Sequence, residues 1–437
     1  MNDLHLDFEW IDPNGAKGPE LRATWAQLRI VVGNKVVSRV LDRNAKSVRE
    51  HLFLPLYPLA EWIAYNWWAL LNEPENPARQ TTRTYLDRHN LHCAREGFYL
   101  PSLSLIPIDT ARLRAVWRGA ADPHERLDFV ESGSEVLDKE QVTNELETLI
   151  EAVVSRLRDT GIQDSALLDE WRSIQSANDE EVQFCKAVGM MGQDPYSLSE
   201  SLAAQVVQTD HNVPTSLHDE FFSVADPDNL TEAESALTQA LTKVRNQRED
   251  LRRLKELRGD IQRNPISAVL PWERGYTVAQ RVRELLSIGH RSLSSDDDLA
   301  GVLEVTPGAW LNGENPGYVF DAVTDINAHD SPGFWVPSQH RLSRRFAFCR
   351  ALHEYLAASD RPTAIVSRAY TDRQKCNRAF AAEFLAPAQA IRERIPGDRV
   401  DEFEIGDLAN MFGVSTRIIE HQIANQLPDI TVDFVVE

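Results

Sequence analysis

The chain has 437 residues, 42% apolar and 26% charged; this globular balance excludes a wholly disordered chain and supplies about two to four domains. Lys and Arg total 46 against 67 Asp and Glu, a net charge of −21, which repels a phosphate backbone and sets bulk nucleic-acid binding aside. Four cysteines lie far apart without a CxxC pair, there is no apolar run of about eighteen residues, and the start MNDLHLDFEW lacks a basic and apolar leader. These features point to a cytoplasmic protein with reduced thiols and no membrane partner.

Residues 1–135 are expected to form an antiparallel β-rich domain with one packed helix. In LHLDFEW, Leu4, Leu6, Phe8 and Trp10 share one side, the period-two pattern of a half-buried strand. Strands over 22–32 and 35–41 flank Gly33-Asn34, a two-residue hairpin signal. LPSLSLIPI, ARLRAVWRG and RLDFVES read as three more strands. PLAEWIAYNWWALLNEP reads as one helix between Pro58 and Pro74. Its Trp62, Trp67 and Trp68 are best used as core rings that pack the helix on the sheet, rather than as a stacking site for a ligand.

Residues 136–265 turn helical. QVTNELETLIEAVVSRLRD and SALLDEWRSIQ place apolar residues at steps of three and four. NDEEVQFCKAVGMMGQDPYSLSESLAAQV gives helix, turn and helix, with acidic residues on a protein-facing scaffold. TEAESALTQALTKVRNQREDLRRLKELR reads as one long amphipathic helix. Its basic end, 243–263, mixes charges at helical spacing and suits a solvated face with i,i+4 pairs. NPISAVLPWERG is a linker.

Residues 266–395 and 396–437 complete the chain. YTVAQRVRELLSIG is an amphipathic helix and SSDDDLAGVLEV an acidic one. GYVFDAV and GFWVPSQ are short strands, RLSRRFAFCRALHEYLAAS a helix, TAIVSRAY a strand, and TDRQKCNRAFAAEFLAP a helix stopped by Pro387. FEIGDLANMFGVSTRIIEHQIANQL has the form helix, Gly-Val-Ser turn, helix.

NRAFAAEFLAP and RRFAFCRAL, in this order, resemble the ImmA/IrrE family of zinc-peptidase-like proteins, whose corresponding segments read FAAELLMP and RRFTLAHEL. The resemblance covers 271–427, a little over a third of the chain. It implies an α+β multidomain protein whose C-terminal domain is a zincin-like α/β fold with a small helix-turn-helix-like tail. The zinc helix of such a fold carries HExxH. Two His at i and i+4 share one face and bind one zinc, the adjacent Glu activates the metal-bound water, and a later carboxylate completes the site.

The metal-binding residues are replaced in this chain. His353-Glu354 opens like the motif, but the second His would be Ala357. Counted from Arg345-Phe346, the first His falls on Arg350, the Glu on Ala351 and the second His on Glu354. The downstream ligand falls on Gln374, or on Arg373 with the frame shifted by one. An Arg at a ligand position opposes a divalent cation, and Arg350 and Glu354 have the spacing to pair where zinc would sit. Two weaker sets remain. A nonstandard hydrolytic site would use His353, Glu354 and Asp372; a soft-metal site would use Cys349, His353 and Cys376.

The resulting expectation is a catalytically degenerate pseudo-peptidase with no cofactor, acting as a binding, sensor or regulatory subunit for a protein partner or small-molecule ligand. The family's setting beside mobile elements implies phage defence or stress regulation. One alternative is an active zinc metallo-endopeptidase that cleaves a repressor or toxin. A second is a transcription regulator using the tail, where Arg417 stands between Asp407 and Glu420 and gives little charge for phosphate.

Overall fold

The computed structural model describes all residues except 1–2, 14, 80, 121–124, 247–250, 267, 269, 307–309, 311–319, 327–331, 358–360 and 434–437. The fold is mixed α/β, 53% helical and 17% strand, with several small sheets. It divides into two compact units, Met1–Gln208 and Thr209–Glu437. The division falls inside the helical stretch 136–265. The first helices of that stretch bury their apolar faces in one core and the last ones in the other. Among the described residues no helix is long and apolar enough to cross a membrane.

The first unit opens with β1 (Leu4–Trp10), α1 (Pro19–Ala23), β2 (Trp25–Val32) and β3 (Lys35–Val36). β1 pairs antiparallel with β2, Leu4 opposite Val32. The expected strand from Arg22 begins later, because Pro19 starts a short helix that takes up Arg22. The hairpin forms at Gly33, φ +58°, but β3 is short. Ser38 interrupts it: its hydroxyl accepts from the Ile30 N–H at 3.0 Å and donates to the Glu50 carbonyl at 2.6 Å. The chain therefore leaves for a second sheet.

The chain continues through β4 (Val40–Asp42), β5 (Ser47–Arg49), β6 (Leu52–Pro55), α2 (Tyr57–Tyr65), α3 (Trp67–Asn72), α4 (Thr82–His89), β7 (Ser102–Pro107), β8 (Arg112–Arg118), β9 (Leu127–Phe129) and β10 (Gly133–Asp138). The sheet orders are β1-β2-β3 with β6 also on β2, β5-β4-β9, and β10-β8-β7. The expected single helix over 58–73 is two helices. Asn66 leaves helical geometry at φ −102°, ψ 7°, and its side-chain amide donates to the Trp62 carbonyl at 2.8 Å, a local bond that competes with the helix. Trp67 and Trp68 are buried and Trp62 is half-buried. Trp67 meets Trp171 edge-on at 5.3 Å, as core packing requires.

Four helices finish the unit: α5 (Lys139–Asp159), α6 (Ala166–Ser176), α7 (Asp179–Met190) and α8 (Glu200–Asn212), the last running past its boundary. β1 is an edge strand, and α5 closes it. Gln141 exchanges two hydrogen bonds with the Leu4 backbone, and Glu145 accepts from the Leu6 N–H at 2.6 Å. An edge sealed by side chains is no template for further strands.

The second unit contains α9 (His218–Phe222), α10 (Leu230–Asn246), α11 (Arg252–Arg263), α12 (Pro271–Leu285), α13 (Asp296–Leu303), β11 (Ala322–Asp325), β12 (Gly333–Trp335), α14 (Arg341–Ala357), β13 (Thr363–Val366), α15 (Asp372–Leu385), α16 (Ala388–Arg392), β14 (Arg399–Asp401), α17 (Glu402–Phe412), α18 (Thr416–Gln426) and β15 (Thr431–Asp433). The long amphipathic helix expected over 231–258 is two helices, α10 and α11. Leu251, at φ −105° and ψ 49°, stands outside helical geometry before α11; residues 247–250 lie outside the described residues. Of the expected strand beginning at 317, residues 317–319 lie outside the described residues, Phe320 and Asp321 are not in a strand, and β11 begins only at Ala322.

Its three-stranded sheet is β12-β11-β13, antiparallel throughout, and β14 and β15 form a separate parallel pair. α14 is buried on nearly every side from Ala347 to Leu356. α15 crosses α12 at Gly275, where an added Cβ would lie 2.3 Å from the Cys376 carbonyl oxygen and 2.8 Å from the Ala379 Cβ. Gly275→Ala is expected to force the two helices apart and cost about 1–3 kcal/mol. Chemical denaturation of the full chain would check it; an unchanged midpoint would mean that the crossing is looser than described.

The tail α17–α18 shares this unit's core through Ile405, Leu408, Phe412, Ile419 and Ile423. Gln422 and Gln426 donate to the buried Glu383 carboxylate at 2.8 and 2.9 Å. Arg417 is exposed.

Candidate functional site

The candidate site lies between α14, β13 and the start of α15. α14 brings Arg350, Ala351, His353 and Glu354 into the interior, although three of these are charged or titratable. α15 starts from Thr371, whose hydroxyl accepts from the Gln374 N–H at 3.3 Å. That cap fixes the rotation that turns Arg373, Gln374, Cys376 and Asn377 toward their partners.

Arg350 and Gln374, the positions in register with the first His and the downstream ligand, touch directly: Arg350 Nη2 donates to Gln374 Oε1 at 2.8 Å. The Arg350 guanidinium also donates to Asp321 Oδ2 at 2.6 Å and to the Ser367 carbonyl. Burial pulls its pKa below the usual guanidinium range, and Asp321 opposes that shift. Glu354 pairs with Arg373 and accepts from Asn377 Nδ2 at 2.5 Å. The spacing that allows an Arg350–Glu354 pair is thus used otherwise; each side chain finds its own partner on a different element.

Arg373 makes a second ion pair with Glu220 of α9, at 2.9 Å. Glu220 also pairs with Arg361 and accepts from the Ile365 N–H at 2.8 Å. Burial raises the Glu220 pKa, while Arg373 counters it. Burial likewise disfavours charge on Arg373, but Glu220 and Glu354 outweigh it and hold its pKa up. The Ile365 carbonyl accepts from both Arg373 and Gln374 at 3.0 Å. β13 is an edge strand, and its free backbone groups at Ile365 are therefore occupied by side chains of the same unit.

Of the weaker sets, the structure joins His353 and Cys376: Nε2 and Sγ lie 3.4 Å apart. Cys349 remains a fully buried thiol whose pKa burial pushes up to about 12, the behaviour of a small core hydrophobe. Asp372 is buried in the first turn of α15. Among the described residues, no three His, Cys, Asp or Glu side chains form a group able to hold a metal ion. A zinc ion does not fit the residues at the family positions: a guanidinium, a methyl group, an amide and one carboxylate already in an ion pair offer no tetrahedral donor set.

Sequence reasoning did not find Asp321, Ser367, Asn377, Glu220 or Arg361, because no motif spacing links them to α14. It also missed a buried cluster in the first unit. Glu73, fully buried, accepts from Arg79 at 3.2 Å, Arg88 at 2.8 and 2.9 Å and His89 Nε2 at 3.1 Å. His89 Nδ1 lies 2.9 Å from the Leu105 carbonyl, and Tyr85 stacks on the imidazole at 4.0 Å. Burial would raise the Glu73 pKa, but His89 and Arg88 bring it down to about 2. No protein-family model matches the chain, and no curated protein matches it.

Proposed function

We propose that residues 266–395 form an ImmA/IrrE-like domain that has lost hydrolysis and works by binding, as a sensor or regulatory subunit for a protein partner or small ligand. The observation that carries the reading is the 2.8 Å hydrogen bond between Arg350 and Gln374. Two of the three positions that the family register assigns to zinc ligands are neighbours in space, and the Arg350 guanidinium also donates to Asp321. A divalent cation placed there would meet a fixed positive charge instead of lone pairs.

The sealed edge of β13 supports the same reading. A peptide adding to that edge would need the Ile365 N–H and C=O, and Glu220, Arg373 and Gln374 already hold both. Recognition therefore takes place elsewhere on the domain, or through displacement of that network. The tail, buried in the same core, serves as a helical cap on it, with a phage-defence or stress-response setting following from the family resemblance.

Metal analysis of protein purified without chelator tests the proposal. Zinc well below one ion per chain and no hydrolysis of unfolded peptide substrates are expected. Stoichiometric zinc together with chelator-sensitive hydrolysis would overturn it.

A further inference from the structure

Beyond that reading, the same unit holds a second arrangement that neither hydrolysis nor its loss explains. His353 lies between Cys376 and Asn377: Nε2 is 3.4 Å from Cys376 Sγ, and Nδ1 is 2.6 Å from Asn377 Oδ1. The proton positions follow from the hydrogen bonds. The Glu354 carboxylate only accepts, and Asn377 Nδ2 donates to it at 2.5 Å, so the amide oxygen is the atom turned to His353. An oxygen that only accepts takes its hydrogen from Nδ1. The lone pair of the neutral ring is therefore on Nε2, facing the thiol.

We propose that Cys376 is a nucleophilic thiol, activated by His353 and positioned through Asn377, that reacts with a small hydroperoxide. A thiol, an imidazole base and a group orienting the base are the parts of an activated nucleophile. Arg274, an exposed residue of α12, adds a positive group beside the sulfur. The titratable and charged groups facing the sulfur are thus His353 from α14 and Arg274 from α12, with Glu354 acting on His353. Burial alone would raise the Cys376 pKa; His353 and then Arg274 lower it below the ordinary thiol value. The other three cysteines are all shifted upward, with burial the largest cause.

Size selects the electrophile. Cys376 is 1% exposed, which excludes peptides and bulky alkylating agents and favours an oxidant close to water in size. In the reaction, Nε2 takes the thiol proton and the thiolate attacks one peroxide oxygen. An S–O bond forms as the O–O bond breaks. The sulfur is oxidised by two electrons to a sulfenic acid, and the peroxide is reduced. Hydroxide leaves and takes the proton back from the imidazolium as water.

The test uses the full chain in chelator-treated buffer. Far-ultraviolet thiolate absorbance is followed against pH for the wild type and Cys376→Ser. Hydrogen peroxide is then added to the folded protein, timed samples are unfolded in denaturant containing a sulfenic-acid trap, and Cys376 and Cys93 are compared by peptide mass spectrometry. The wild type is expected to show a thiolate absorbance, absent from Cys376→Ser, that rises at lower pH than that of an ordinary thiol. His353→Gln and Asn377→Ala should each raise the ionisation midpoint, the former by about one pH unit or more. Trapping should be faster at buried Cys376 than at exposed Cys93, a comparison within one protein that needs no variant. Equal thiolate absorbance in the wild type and Cys376→Ser, or trapping at Cys93 as fast as at Cys376, would overturn the proposal.

Discussion

Glu73→Ala is expected to destabilise the Met1–Gln208 unit by about 3–5 kcal/mol, the usual cost of removing one partner from a buried ion pair. The carboxylate is fully buried and gathers Arg79, Arg88 and His89. Without it, Arg79, Arg88 and His89 lose the buried carboxylate that they share. Space adds to the effect. Gly192, at φ +70°, passes so close that an added Cβ would lie 2.3 Å from Glu73 Oε1, so the pocket is shaped to the carboxylate. Urea denaturation followed by tryptophan fluorescence measures the loss, and a cost below about 1 kcal/mol, typical of an exposed pair, would show the cluster to be marginal.

The same group sets a pH dependence. The folded pKa of Glu73 is about 2, below its value in an unfolded chain near 4.3. Its contribution is therefore fully present above the unfolded pKa and is lost as pH falls through the folded one, amounting to about 3 kcal/mol. Stability measured at pH values between about 5 and 2 should fall more steeply for the wild type than for Glu73→Gln. Parallel curves for the two proteins would count against the assignment.

Rebuilding the metal site should produce the second large effect. Combining Arg350→His, Ala351→Glu, Glu354→His and Gln374→Glu restores the family residues at the register counted from Arg345-Phe346. The variant is expected to bind about one zinc per chain where the wild type holds little, and zinc at a hundredfold excess over its Kd should stabilise it by about 2.7 kcal/mol. In this variant Asp321 loses Arg350 and Arg373 loses Glu354, so the metal-free form should be less stable than the wild type. A folded variant that ignores zinc would refute the register, and with it the strongest structural consequence of the resemblance. Metal content and zinc-dependent melting decide between the outcomes.

Much of the local structure was legible in the residues. The alternation of LHLDFEW, the Gly33 turn, the helix over 139–159 and the helices ending at Leu385 and Phe412 follow from periodicity, caps and glycine placement. Several boundaries were not. Asn66 bonds back to Trp62 and splits one helix, Ser38 redirects a strand, and Leu251 separates α10 from α11. Each depends on a bond or backbone angle that apolar spacing does not encode.

For the site, the sequence by itself supplied the residues that the resemblance sets at zinc positions, Arg350, Ala351, Glu354 and Gln374 or Arg373, and their chemistry, which is wrong for zinc. It also singled out His353 and Cys376, without their true relation. Only the tertiary structure decided the partners. Asp321 comes to Arg350 from beside β11, Glu220 comes to Arg373 from α9, and Asn377 meets His353 across two helices. Buried charges must find partners wherever the fold brings them, and separations of 24 to 153 residues along the chain leave no periodic trace.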